Sequence, residues 1–260
     1  LSTSNVKNCV NYGSVIHSGN ATGANSPIYV GGIVGRFFGG SSSDKAYIQN
    51  CLNYGTVIHS GQTAGSLNIG GISGDSSYVD IENCLSGGKI TSNKQGRCYI
   101  GSIVGYIGSL TSITRCHWTS DVGFDRAYDY NSSVVIIDTE TKEVILNTAT
   151  MDNLNRYNSS WDKWFMLHLN EGSINNLSQE AIVVTQRHFP DPVKADNTFM
   201  FWCLDTGCNE KYDPKTTDIT YVNELYAAWN TVSVTFDFMN GTTTTTTKNF
   251  TYNKPYGALP

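Results

Sequence analysis

The chain has 260 residues, with 22 acidic against 17 basic side chains and a net charge of −5. Its lysines and arginines are scattered singly, and the absence of any basic run able to neutralise phosphates excludes an ordinary nucleic-acid binder. Apolar residues make up 39% and charged residues 15%; the balance, 25 glycines with many Asn, Ser and Thr, favours strands and turns over helices and predicts an all-β fold.

From the N-terminus, "NCVNYGSVIHSG" (8–19) returns almost unchanged as "NCLNYGTVIHSG" (50–61) and, weaker, as "NCLSGGKITSN" (83–93). The Asn-Cys pair fades to Arg115-Cys116, and the steps between these cysteines are 42, 33 and 32 residues. Between copies stands a second phrase, "YVGGIVGRFFGG" (29–40), "NIGGISGDSSY" (68–78) and "YIGSIVGYIGS" (99–109), each leading through a short alternating run to the next Asn-Cys. Short alternations broken by glycine read as strands of four to six residues with tight corners. Each unit is too small to bury its own apolar face, so copies are expected to stack as a β-solenoid, with equivalent residues about 4.8 Å apart. Asn8, Asn50 and Asn83 should then line one corner with their amides paired. Gly13, Gly55 and Gly87 or Gly88 should stand where a Cβ is unwelcome, and Val15, Val57 and Ile90 should point inward at one level.

The two alternating phrases resemble the GLUG motif, a repeat of large bacterial and protist surface proteins and of some immunoglobulin-A-cleaving peptidases. The resemblance covers residues 1–118. It implies a right-handed parallel β-solenoid outside the cell, and no activity.

After Cys116, "CHWTSDVGFDRAYDY" and "LNTATMDNLNRYNSSWDKWFM" resemble the segment that closes GLUG arrays. Met151, Leu154 and Tyr157 recur at helical spacing after Thr150, read as the N-cap. Residues 119–164 are assigned to a cap or linker with a short helix, because an open solenoid end exposes core and strand edge. Further on, "TFMFWCLDTGCNEKYDPKTTDITYVNELYAAW" (198–229) resembles the second half of the Listeria–Bacteroides repeat, the internalin-type B-repeat-like module. "VSVTFDFMNGTTTTTTKNFTYNKPYGALP" (232–260) resembles a fresh first half. The resemblance implies small β-grasp-like spacer modules, one at 165–230 and a partial one at 231–260. Gln186-Arg187-His188 replaces the expected Tyr-Gly turn in the first.

Candidate chemistry is sparse. Cys9, Cys51, Cys84 and Cys116 could form coil-to-coil disulfides, but the dihedral is awkward between parallel neighbours, and buried free thiols are the preferred reading. Cys203 and Cys208 flank the hairpin "LDTG", where opposed strands come close, and are the candidate disulfide. Cys98 is then the odd one out. His17 and His59 would stack and could share a metal, but the third copy has Ser92, so solvated surface histidines are expected. Ser73 in "GISGD" lacks the final glycine of a nucleophile elbow, and sister repeats put Val there, so it fills a core slot. Asp121, Asp125 and Asp129 match no Ca²⁺ loop. Among coil acids Asp44, Asp75, Asp80 and Glu82, no stacked pair is expected beyond the Asp80/Glu82 strand, so no catalytic residue, cofactor or metal is assigned. Tyr12, Tyr54, Phe37 and Phe38 are candidate exposed aromatics for stacking on sugars.

Six Asn-x-Ser/Thr sequons, at Asn20, Asn131, Asn158, Asn176, Asn240 and Asn249, are candidate N-glycosylation sites. Chance alone gives roughly five in a chain of this composition, so they permit a glycoprotein without arguing for one. No run approaches the length of a membrane-spanning helix, and the chain reads as a piece of a longer protein. The expected function is a non-enzymatic adhesion or display segment of a secreted or cell-surface protein. Its partner would be another protein or a glycan at a surface, or copies of itself. The alternatives are a structural subunit of an extracellular filament or coat, and an accessory, non-catalytic region of a secreted hydrolase or peptidase.

Overall fold

The computed structural model describes residues 4–94, 96–132, 135–156, 163–174, 177, 181–185, 189–195, 197–237 and 245–251. It is mostly β, with one α-helix among the described residues. The chain divides into two compact units, 1–164 with 183–187, and 165–182 with 188–260.

The first unit is built from five parallel sheets, each made of the same strand taken from successive repeats. The first sheet orders Asn5–Lys7, Ala46–Gln49, Val79–Glu82, Thr111–Thr114 and Val135–Ile137. The second orders Val10–Asn11, Leu52–Asn53, Leu85–Ser86, His117–Trp118 and Lys142–Glu143. Val15–His17, Val57–His59 and Ile90–Ser92 form the third; Ile28–Gly31, Leu67–Gly70 and Cys98–Gly101 form the fourth. The fifth runs Val34–Phe38, Ser73–Ser77, Val104–Ile107 and Tyr128–Asn131. Register is kept residue for residue, so like residues form columns: Ile48–Ile81–Ile113 in the first sheet and Val15–Val57–Ile90 in the third. Ile48, Ile81, Ile113 and Val57 are fully buried, and each such side chain contributes about 1.5–3 kcal/mol.

The repeated phrases are explained at the corners. Asn8, Asn50 and Asn83 adopt positive φ of 56°, 55° and 51°, a left-handed conformation that Asn tolerates better than most residues. Asn83 Nδ2 donates to Asn50 Oδ1 at 2.9 Å, and a second amide pair, Asn11 Nδ2 to Asn53 Oδ1 at 2.8 Å, stands two residues beyond the cysteines. At Gly55 and Gly88 the constraint is close approach: a Cβ would lie 1.9 Å from the Gly13 carbonyl oxygen and 2.0 Å from that of Gly55, respectively. Tyr12 and Tyr54, expected as exposed aromatics, are instead buried. The third repeat makes room for the Tyr54 ring with Gly87, where a Cβ would lie 2.5 Å from it.

Cys51, Cys84 and Cys116 are buried free thiols, each approaching the carbonyl two residues back (Gln49, Glu82 and Thr114) at 3.3–3.4 Å. Burial is the main cause that pushes the Cys84 thiol up; for Cys51 the contact with Cys84 comes first and burial second. Thiolate, the reactive form, is thereby suppressed. In native protein a thiol-reactive disulfide reagent is expected to label exposed Cys9 and to leave Cys51, Cys84 and Cys116 unmodified until denaturant is added. Peptide mapping by mass spectrometry reads the difference, and native labelling of Cys84 would contradict it.

Beyond residue 118, in the segment expected to be cap or linker, Tyr128–Asn131, Val135–Ile137 and Lys142–Glu143 continue three of the parallel sheets. The helix spans Thr148–Asn155 and buries Met151 and Leu154. Its N-cap is Asn147 rather than Thr150, because Asn147 Oδ1 accepts from the Thr150 backbone N–H at 2.9 Å. Tyr157 lies outside the described residues.

In the second unit, Glu224–Asp237 is the central strand. It pairs in parallel with 166–168 and antiparallel with Thr198–Cys203 and Thr245–Thr251. The expected module boundary at 230/231 falls inside this strand, since the run Thr231-Val232-Ser233-Val234-Thr235 contains no breaker. Phe165, Phe189 and Tyr212 pack with ring centroids 5.5–6.3 Å apart. Residues 186–188, where a turn is expected, and residues 238–244 and 252–260 lie outside the described residues. Cys203 and Cys208 form a disulfide, Cα–Cα 5.0 Å. The loop it closes is turned by Asp205, whose carboxylate accepts from the backbone N–H groups of Gly207, Asn209 and Glu210. Loop-closure entropy for so short a loop predicts a loss of about 2 kcal/mol in the Cys203→Ser/Cys208→Ser variant. Urea unfolding checks this, and equal midpoints for variant and wild type would refute it. Among the described residues no helix is long and apolar enough to cross a membrane.

Candidate functional site

Alternation along a strand turns every second residue of the fourth and fifth sheets away from the core. In the fourth sheet, Ile28 and Val30 are buried, and Tyr29 between them stands in register with Asn68 and then Tyr99. In the fifth, Arg36, Asp75, Tyr106 and Tyr130 form one column across four tiers. Residues of the two columns line a groove of about 400 Å³, together with Phe38, Ser77 and Arg97.

Aromatic rings line this groove. Tyr99 and Tyr106 meet there at 5.5 Å, and Tyr130, on the next tier and outside the lining, stacks on Tyr106 at 5.3 Å and meets Tyr99 at 5.0 Å. At the other end the Arg36 guanidinium lies 4.7 Å from the Tyr29 ring centre and 4.2 Å from that of Phe38, which holds it by cation–π attraction. Tyr130 remains 43% exposed and Phe38 40%.

The floor is polar and incompletely satisfied. Asp75 is 4% exposed, with Oδ2 3.5 Å from Arg36 Nε and Oδ1 buried without a hydrogen-bond partner. Asn68 is 3% exposed, and its Oδ1 is likewise buried and unpartnered. Burial pushes the Asp75 carboxyl up to about 6, against the opposing pull of Arg36. Leaving a buried acceptor unmade costs about 1–3 kcal/mol, so two such atoms on residues that line one groove mark a place where the fold is not self-sufficient.

The residues singled out from sequence fall elsewhere. Ser73 is buried and donates to the Asp75 carbonyl at 3.0 Å, a structural use. Lys45 and Ser112 engage Asp80, while Gln49 and Arg115 engage Glu82. Asp129 pairs with Arg126 and accepts from the Ile100 N–H, and Asp121 faces Thr119. His17 and His59 stack at 5.1 Å with Nδ1 atoms 3.1 Å apart; His17 is half-buried, and His59, expected as a solvated surface residue, is instead 1% exposed. Burial, then the neighbouring His17 and Lys94, depress its basicity. Phe37 packs toward the core, leaving Phe38 as the member of the expected aromatic set that reaches the groove. Among the sequons, Asn20 and Asn131 are exposed and Asn249 lies in the strand Thr245–Thr251; Asn158, Asn176 and Asn240 lie outside the described residues. A smaller cleft of about 280 Å³, lined by Arg115, His117, Glu140, Lys142 and Arg156, mixes both charge signs.

Sequence reasoning missed Tyr29, Asn68, Tyr99, Arg36, Tyr106 and Tyr130 as a group. The available signal was positional: Tyr29, Asn68 and Tyr99 open the three copies of the second phrase, and Arg36, Asp75 and Tyr106 each follow the glycine that all three copies keep. No family model, curated protein or solved structure matches the chain.

Proposed function

We propose that the chain is a non-enzymatic segment of a large extracellular or cell-surface protein, serving adhesion or display. In this reading the GLUG-type repeats wind as a right-handed parallel β-solenoid, the region around Thr148–Asn155 caps it, and modules of the Listeria–Bacteroides type act as spacers. The parallel sheets, with equivalent strands in register from repeat to repeat, support the winding. The observation that carries the functional reading is the groove. It offers aromatic rings on a sheet surface, with buried acceptors beneath them that no group among the described residues satisfies. The non-enzymatic part is supported by the acids: Asp80 and Glu82 are held by cations, and Asp75 is the one carboxylate lining the groove among the described residues.

Beads coated with the full chain test this. They are expected to adhere to mucin- or matrix-coated surfaces above albumin-coated controls, and adhesion should fall at least about tenfold with Tyr106→Ala. Adhesion no greater than that of the controls on every surface would reject the reading.

A further inference from the structure

We propose that the groove between the fourth and fifth sheets binds a neutral, hydroxyl-rich saccharide. The sugar lies on the Tyr99 and Tyr106 rings that line the groove and extends over Tyr130 packed against them, with hydroxyl groups donating to Asp75 Oδ1 and Asn68 Oδ1. This rests on the adhesion reading and deepens it by naming the ligand chemistry.

The floor lacks hydrogen-bond donors for two of its buried oxygens. Both unsatisfied atoms are acceptors, so the missing partner must bring donors, and it must bring two to a single tier, one on each sheet. A carboxylate or phosphate brings none at neutral pH and would meet the Asp75 charge. A purely apolar ligand would leave both atoms unpaired, with their cost unrelieved. A sugar hydroxyl donates and accepts at once, so one hydroxyl pair can satisfy the floor while Arg36 donates to ring or linkage oxygens.

The walls agree with the floor. Sugar rings present a face of C–H groups that packs against aromatic rings, and three tyrosines supply such a surface with phenol hydroxyls at its border. Tyr29 and Phe38 hold Arg36 over the opposite end, so the guanidinium is positioned before the ligand arrives. The residues assigned to the sugar lie on in-register strands, which lowers the ordering cost of binding. Successive tiers repeat outward positions at about 4.8 Å, so an extended oligosaccharide laid along the column meets a new side chain at each step.

The test uses the full chain and titration calorimetry with cellohexaose, mannohexaose and laminarihexaose, against tetragalacturonate and a hyaluronan hexasaccharide. At least one neutral oligosaccharide is expected to bind with Kd below about 1 mM. Tyr106→Ala and Asn68→Ala should each weaken that binding at least about fivefold, with unchanged far-ultraviolet circular dichroism. Tyr130→Ala, at an exposed ring, gives a third variant should either of the others misfold. Binding of acidic members alone, binding of no member, or binding indifferent to all folded variants would overturn the saccharide assignment. Bead adhesion separates the two failures. Adhesion that persists on enzymatically deglycosylated mucin rejects the saccharide and keeps the adhesion reading, whereas absence of adhesion to any surface rejects both.

Discussion

Gly70→Ala is expected to destabilise the first unit by about 4 kcal/mol or more, at the extreme of single substitutions. A Cβ at Gly70 would lie 1.9 Å from the Ser73 carbonyl oxygen and 2.7 Å from that of Ile103 in the next tier. Both obstacles are backbone, so no rotamer change relieves them, and moving either displaces a strand of a parallel sheet. The same corner recurs at Gly31 and Gly101, where a Cβ would lie 2.0 Å from the carbonyl oxygens of Val34 and Val104. Gly96→Ala is the control: with φ of +85° and open space around it, it isolates the left-handed backbone cost of roughly 1–2 kcal/mol. Hydrogen exchange reads the outcome, with protection lost across 67–77 and 98–107 in Gly70→Ala and kept in Gly96→Ala. Comparable protection in both variants would show that the corner yields.

Asp75→Asn is expected to stabilise the protein at neutral pH. Burial lifts the folded-state carboxyl from an ordinary 3.8 to about 6, and Arg36 opposes this only in part. Below about pH 3.8 the carboxyl is protonated in folded and unfolded chains alike and costs nothing. Between 3.8 and 6 only the unfolded chain ionises, so stability falls as pH rises. Above 6 the cost is complete, about 3 kcal/mol. Asn keeps the shape without the charge, so the variant should match wild type at pH 3.5 and exceed it by up to about 3 kcal/mol at pH 7.5. Urea unfolding at the two values measures the difference, in which other titrating groups cancel. Parallel profiles would sink the claim. The direction bears on function, since a carboxylate kept at a cost to the fold and left unpaired on one oxygen is characteristic of binding sites.

The repeat itself was legible in the residues. The Asn-Cys phrase could be read as a corner because only a few residue types accept a left-handed backbone, and Asn recurs where the structure has φ near 55°. Glycine before the third strand could be read as close approach, and the Val, Val, Ile series as an inward column, because a parallel stack places like on like. Other features needed the fold. Tyr12 and Tyr54 look the same in sequence as any turn tyrosine, and their burial depends on space left by a glycine in another repeat. The Asn147 cap was displaced by three residues in the reading because Thr150 is also a competent cap; only the direction of Oδ1 decides between them.

What the sequence by itself determined is the all-β class and the stacked register, since repetition with period-2 alternation allows one way to bury each unit's face. What only the tertiary structure decided is the groove. Its residues share no motif, and alternation says which of them point outward but not which outward columns converge. That depends on the angle between the fourth and fifth sheets, set by the glycine corner between them. The corner brings Tyr29, Asn68 and Tyr99 up to Arg36, Asp75 and Tyr106, and so turns two unremarked columns into one site.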